Sequence, residues 1–332
     1  MTSDRVTGGT GVAAPAAEPR RRRGGRRRDQ AMVPEAEFRS YYGKPILNEP
    51  TWEARDIAGY LFLGGLAGAG AAVAGGASAT GLAGLGRVLK VGSTAAAGLS
   101  LAALVHDLGR PTRFLNMLRV AKPTSPMSVG SWLLAGFAPL SATAAFCEVT
   151  GRLPRLGTLA TAGAATLGPA VATYTAALIS NTAVPAWHEA RAPMPFLFAS
   201  SGAAAAAGLG LLAAPATETA PVRVLALVAA PAEVGLSRLA AQQAGLAGEC
   251  YERGRAGRLL KTAEALTLFG AAAAVFARRS PALGRVGGLA LLTGSALTRF
   301  GLFEAGLASA RDPKYTVVPQ RERLSARAAE TT

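Results

Sequence analysis

Long apolar runs alternate with shorter polar ones along this chain. Eight runs lie at about Ile57–Ala79, Val88–Val105, Val129–Val149, Leu156–Ser180, Pro195–Ala214, Val222–Leu246, Leu259–Ala277 and Leu283–Leu307. Each is near the roughly 20 residues that a helix needs to cross a hydrocarbon core. None alternates with period two, which disfavours a β-barrel. The pattern predicts an all-α integral membrane protein with eight transmembrane helices. It also divides the chain into a basic N-terminal tail with a pre-membrane segment (1–53), a membrane domain (54–310) and a C-terminal tail (311–332). One connector is longer and richer than a connector needs to be. It is His106–Gly130, HDLGRPTRFLNMLRVAKPTSPMSVG, dense in charge and held by three prolines.

An even number of spans puts both ends of the chain on one side, called face A here. Face A then receives both tails, the His106–Gly130 stretch, the loop Asn181–Pro193 and the loop Ala247–Arg258. The opposite face B receives only short turns. Arginine and lysine are concentrated on face A, so the positive-inside rule predicts cytoplasmic N- and C-termini in a multi-pass protein of the cell membrane.

Composition sharpens this picture. The 332 residues are 50% hydrophobic yet carry a formal net charge of +15, which suits apolar spans joined by basic loops. With 40 glycines and few aromatics, the spans can approach closely in lipid, where packing rather than the hydrophobic effect holds helices together. The cluster RRRRGGRRR, Arg20–Arg28, reads as an arm for anionic lipid headgroups rather than for nucleic acid. No apolar stretch follows it closely enough for a cleaved export signal. An iron–sulfur cluster needs about four thiolates, and the chain has two cysteines, Cys147 and Cys250. His188 falls beyond Pro185, outside the span, which argues against a haem shared with His106. The reading is therefore a chain with no haem or cluster of its own.

Four groups of residues carry candidate chemistry. At the head of the first run, Asp56 and Tyr60 are four apart and share a helix face. At the end of the second, His106, Asp107 and Arg110 do the same. Hydrogen-bond donors beside protonatable groups suit a quinone oxygen that must gain or lose a proton. The plainer alternatives are an anchor in which Asp56 pairs with an arginine, and a helix end braced by Asp107 and Arg110. Arg113, Arg119 and Lys122, with Trp187, His188 and Lys314, read as docking residues for an acidic partner. Trp52, Tyr41 and Tyr42 suit the lipid headgroup layer. Inside the apolar runs, Glu233, Arg238, Lys261 and Glu264 are costly and must pair or line a wet cavity. They are proton-route candidates, and Lys261 and Glu264, three apart, can pair.

Four blocks also carry a resemblance: YYGKPILNEPTWEARDIAGYLFLGGLAGAG, HDLGRPTRFLNMLRVAKPTSPMSVGSW, YTAALISNTAVPAWHEAR and FEAGLASARDPKYTVVPQRER. Across about Tyr41–Arg323 the chain resembles the NrfD family, the membrane subunits of polysulfide-reductase-like complexes. The resemblance implies eight helices, which the family suggests as two four-helix bundles, and no haem. It implies a docked ferredoxin-like iron–sulfur subunit, a molybdopterin catalytic subunit, and electron exchange with membrane quinone or quinol near the head of the first helix. A family member uses a histidine there, and this chain has none at that place. The alternative reading, from the intramembrane charges, is a polytopic transporter or ion-translocating module.

Overall fold

The computed structural model describes residues 46–48, 50, 52–108 and 116–330. The arginine cluster, Tyr41, Tyr42, Arg110 and Arg113 lie outside them. Eight helices are long and apolar enough to cross a membrane. They are α1 (Ala54–Ala79), α2 (Ala83–Asp107), α3 (Pro126–Thr150), α4 (Pro154–Ser180), α6 (Met194–Ala213), α7 (Ala220–Gln243), α9 (Gly254–Phe276) and α10 (Pro281–Arg311). Two short helices, α5 (Pro185–Glu189) and α8 (Glu249–Glu252), sit in the face A loops, and α11 (Lys314–Glu330) follows the last span. No strand occurs among the described residues. The fold is all-α, as the apolar pattern predicts.

Local chemistry sets the ends. Proline stands in the first turn of α3, α4, α5, α6, α7 and α10, where its missing N–H is no loss and its fixed φ suits the helix. Ser125 and Ser280 cap α3 and α10, their hydroxyls accepting from the N–H groups of Ser128 and Leu283 at 3.5 and 3.3 Å. Gly151 closes α3 in the left-handed region at φ 66°, and its N–H reaches the Cys147 carbonyl at 3.0 Å.

Three helices occupy the centre. About two thirds of the most apolar stretch of α1 is buried (67%), and α6 and α10 are close to it at 61%, against 28% for α2 and α3. α1 packs on α2, α4, α6 and α10, and α10 packs on α6 and α9. Glycine makes these contacts close. A Cβ on Gly202 of α6 would stand 2.9 Å from the Gly65 carbonyl oxygen of α1. One on Gly270 of α9 would stand 2.7 Å from the Gly287 carbonyl oxygen of α10. Gly68 of α1 and Gly168 of α4 face each other in the same way. Backbone meets backbone at these crossings, the packing expected where lipid is as apolar as the helix surface. Pro139, Pro169 and Pro231 lie inside spans, each on an exposed stretch of its helix surface, and proline is tolerated within transmembrane helices.

Candidate functional site

α1 and α2 form an antiparallel pair, so the start of one lies beside the end of the other. Asp56, in the first turn of α1, is well placed for a carboxylate at a helix N-terminus. His106, next to the last residue of α2, meets it: Nδ1 and Oδ2 are 2.7 Å apart. The Asp56 side chain is mostly covered at 13% exposure, whereas the imidazole is 76% exposed. Among the described residues Asp56 thus pairs with a histidine. Asp107 sits half-buried beside Glu53.

One turn deeper, Tyr60 is buried and its hydroxyl meets that of Tyr174 on α4. Gly130 of α3 leaves room for the Tyr174 ring, which a Cβ there would strike. The Ser100 hydroxyl of α2 donates to the Tyr60 carbonyl at 3.2 Å. Asp56, His106, Tyr60 and Tyr174 thus form one layered polar group at the face A end of α1, α2 and α4. Tyr174 was not visible as a candidate, because its partner is 114 positions away.

The expected docking residues separate into two kinds. Arg119 and Lys122 are exposed on the connector before α3. Its bend is held by Ser128, whose hydroxyl donates to the Val120 carbonyl at 2.8 Å and accepts from the Lys122 N–H at 2.9 Å. Trp187 is corrected: it is fully buried and offers a partner no surface. Its indole N–H donates to the Leu302 carbonyl at 2.8 Å. Its ring stacks on Trp52 at 6.2 Å and tilts against Phe303 at 5.5 Å. Trp52 is accordingly held by an indole and not only by a headgroup layer. His188 is exposed, and its Nδ1–H donates to the Ser180 carbonyl at 3.2 Å. Lys314 is engaged within the chain, 3.5 Å from Glu249, 3.8 Å from Asp312 and 4.6 Å above the Tyr315 ring. The Tyr315 hydroxyl helps hold its ammonium above the ordinary lysine value, while burial pushes the Tyr315 phenol and the Cys250 thiol up. Glu189 pairs with Arg323 at 2.5 Å, and the Tyr251 hydroxyl donates to the Ala186 carbonyl at 2.9 Å. These bonds tie α5, α8 and α11 into a layer over face A.

The intramembrane charges come together. Glu233, Arg238, Lys261 and Glu264 all line one cavity of about 360 Å³ between α7 and α9. Glu264 bonds Arg238 across the two helices. The local pairing with Lys261 expected from sequence spacing does not form. A fifth charge escaped the sequence reading: Arg299 of α10, completely buried. Its Nη2–H donates to the Phe198 carbonyl at 2.8 Å, and its guanidinium lies 3.6 Å over the Phe198 ring. Lys90 and Glu148, paired at 2.9 Å near face B, also escaped it. Among the described residues, no three His, Cys, Asp or Glu side chains converge as a metal ion would require.

No curated protein matches the chain. Residues 48–236, more than half of its length, match the family described as polysulphide reductase, NrfD. The match begins before α1 and ends inside α7, so it takes in the whole Asp56–His106–Tyr60–Tyr174 group and reaches Glu233. With eight helices able to span a membrane and this match, the chain belongs to the NrfD family.

Proposed function

We propose that this chain is the membrane anchor of an oxidoreductase complex, exchanging electrons between a docked ferredoxin-like iron–sulfur subunit and membrane quinone. A molybdopterin subunit would carry the substrate chemistry. The family membership and the eight spans support the anchor role. The observation that carries the quinone reading is the Asp56–His106 pair at the head of α1. The histidine missing from helix one is supplied from the end of α2. In this reading the exposed imidazole holds a quinone carbonyl oxygen by a hydrogen bond. Asp56, behind it, fixes the ring and stabilises its protonated form. A quinone reduced there needs two protons, and an imidazole whose charge changes near neutral pH can hand one over from the aqueous edge. Electrons reach the quinone from the docked subunit, and this chain's residues bind and supply protons. Face A, with Arg119 and Lys122 beside the site, receives the partner and is read as the cytoplasmic side. The four charges between α7 and α9 belong to proton movement in this reading.

The test is binding by the purified full chain of heptyl-hydroxyquinoline N-oxide, a fluorescent quinone-site ligand, alongside the metal content of the co-purified complex. His106→Ala should weaken the ligand about tenfold, the loss of one charge-assisted hydrogen bond. Asp56→Asn should weaken it less and should shift the pH dependence. Full-affinity binding by His106→Ala sinks the site. A complex that purifies without an iron–sulfur subunit sinks the anchor reading.

A further inference from the structure

Buried polar atoms are nearly always hydrogen-bonded, and those that are not call for a partner such as internal water. At the inner end of the α7–α9 cavity several such atoms gather. Glu233 is 2% exposed and neither carboxylate oxygen has a hydrogen-bond partner. The Thr267 hydroxyl, which lines the same cavity, has none either. Beyond Glu233 lies Arg299, whose Nε and Nη1 are likewise unpaired. The hydroxyls of Ser201 and Thr298 are the other polar neighbours of the Glu233 carboxyl. Arg299 stands twelve residues before the face A end of α10, about 18 Å along the axis, near mid-membrane.

The outer end of the cavity is different. Gln242, Glu252 and Lys261 line it, and Tyr251 forms part of its wall. Arg238 and Glu264 bridge α7 to α9 in the wall of the cavity, with 65% and 30% of their side chains exposed. The space joins side chains of the face A loops to the unpartnered Glu233 carboxyl within the membrane span. Its lining holds carboxylates, ammonium, guanidinium and hydroxyls, and it has room for several waters.

We infer that Glu233 is a proton-binding site loaded through a water-filled cleft between α7 and α9, with the Arg238–Glu264 bridge as its gate and Arg299 as its fixed counter-charge. One proton from cleft water forms the O–H bond on Glu233. The hydroxide left behind takes a proton from the aqueous side, so charge and atoms balance. The unprotonated carboxylate is neutralised by Arg299, and the protonated one leaves Arg299 on the Phe198 carbonyl and ring. The charged group beside Glu233 is Arg299 from α10, and Lys261 and Glu264 from α9, Glu252 from α8 and Arg238 from α7 share its cavity. This inference deepens the proton movement of the anchor reading but needs no electron partner for its test. It can therefore fail while that reading stands, and the reverse.

The experiment is carbodiimide labelling of the full chain in vesicles, read by peptide mass spectrometry. A water-soluble carbodiimide should modify Glu233, and the adduct should vanish in Glu233→Gln. Glu264→Gln, which breaks the bridge, should speed the labelling up to about fivefold, the equivalent of the ~1 kcal/mol that an exposed pair is worth. If Glu233→Gln does not fold, Thr267→Cys gives a second reading. Its thiol should react with a small water-soluble thiosulfonate reagent at a rate that Glu264→Gln raises, while the buried Cys147 and Cys250 of the parent chain stay unreactive. No Glu233 adduct together with an inert Thr267→Cys overturns the cleft. Labelling that ignores Glu264→Gln overturns the gate.

Discussion

Arg299 shows what a single residue can hide. It sits between Thr298 and Phe300 in a run that reads as apolar, and nothing within four positions on its helix pairs with it. Its carboxylate neighbour, Glu233, is on another helix. The four charges named from the sequence interrupt apolar runs as Arg299 does, so what lay hidden was the burial of Arg299 and its partners rather than the residue itself. The pairing of those four was not legible either, because spacing along one helix favours Lys261 with Glu264, whereas the fold brings Arg238 to Glu264 from α7. Removing one member of a buried charge pair leaves the other uncompensated, which costs about 3–5 kcal/mol. Arg299→Met should therefore lower the melting temperature of the detergent-solubilised protein sharply. Glu233→Gln strands the Arg299 charge in its turn and should also cost stability, although the Phe198 carbonyl and ring still hold the guanidinium. The double substitution should recover part of the Arg299→Met loss, because the two residues act on each other. Additive losses in a thermal-unfolding series would show that Arg299 is held by Phe198 alone.

At the scale of the element, the eight spans were legible from hydropathy and each lies within a few residues of its apolar run. α5 and α8 were not legible, because five and four residues are too few to show a period. α11 read as a tail because most of it is polar, yet Tyr315 near its start is buried in the core and Arg323 pairs with Glu189 of the face A layer. Which glycines matter was also hidden. Gly68 and Gly76 both lie on α1 and look alike in sequence. A Cβ on Gly68 would meet the Val171 Cβ of α4 at 3.2 Å and the Ala172 backbone nitrogen at 2.8 Å, while one on Gly76 would meet nothing within 4 Å. Backbone cannot move aside as a side-chain end can, and overpacking of this kind costs about 1–3 kcal/mol or more. Gly68→Val should thus reduce the yield of monodisperse protein in size-exclusion chromatography, and Gly76→Ala should leave it unchanged. Equal behaviour of the two variants would remove close approach as the reason for the α1–α4 crossing.

For the molecule as a whole, the grouping of the α1 head, the α2 end and the later loops at one end was legible, whereas which of their side chains are buried was not. Counting spans put His106 and the head of α1 on one side, and their 2.7 Å contact follows from that topology. The same count could not tell a buried tryptophan from an exposed one, so Trp187 read as a docking residue while it serves as packing under α10. With Trp187 buried and Lys314 engaged by Glu249, the exposed charge left to meet the proposed acidic iron–sulfur subunit includes Arg119 and Lys122. Docking through such exposed charges is long-ranged in dilute salt and short-ranged in concentrated salt. The Debye length falls from roughly 10 Å at 0.1 M to about 3 Å at 1 M. Replacing both residues by glutamine should therefore weaken capture of the co-expressed iron–sulfur subunit about three- to tenfold at low salt, from two charges worth up to ~1 kcal/mol each. The difference from the parent chain should shrink towards nothing near 1 M. A loss of equal size at both salt concentrations would mean that the connector shapes the docking surface by its fold rather than by its charge.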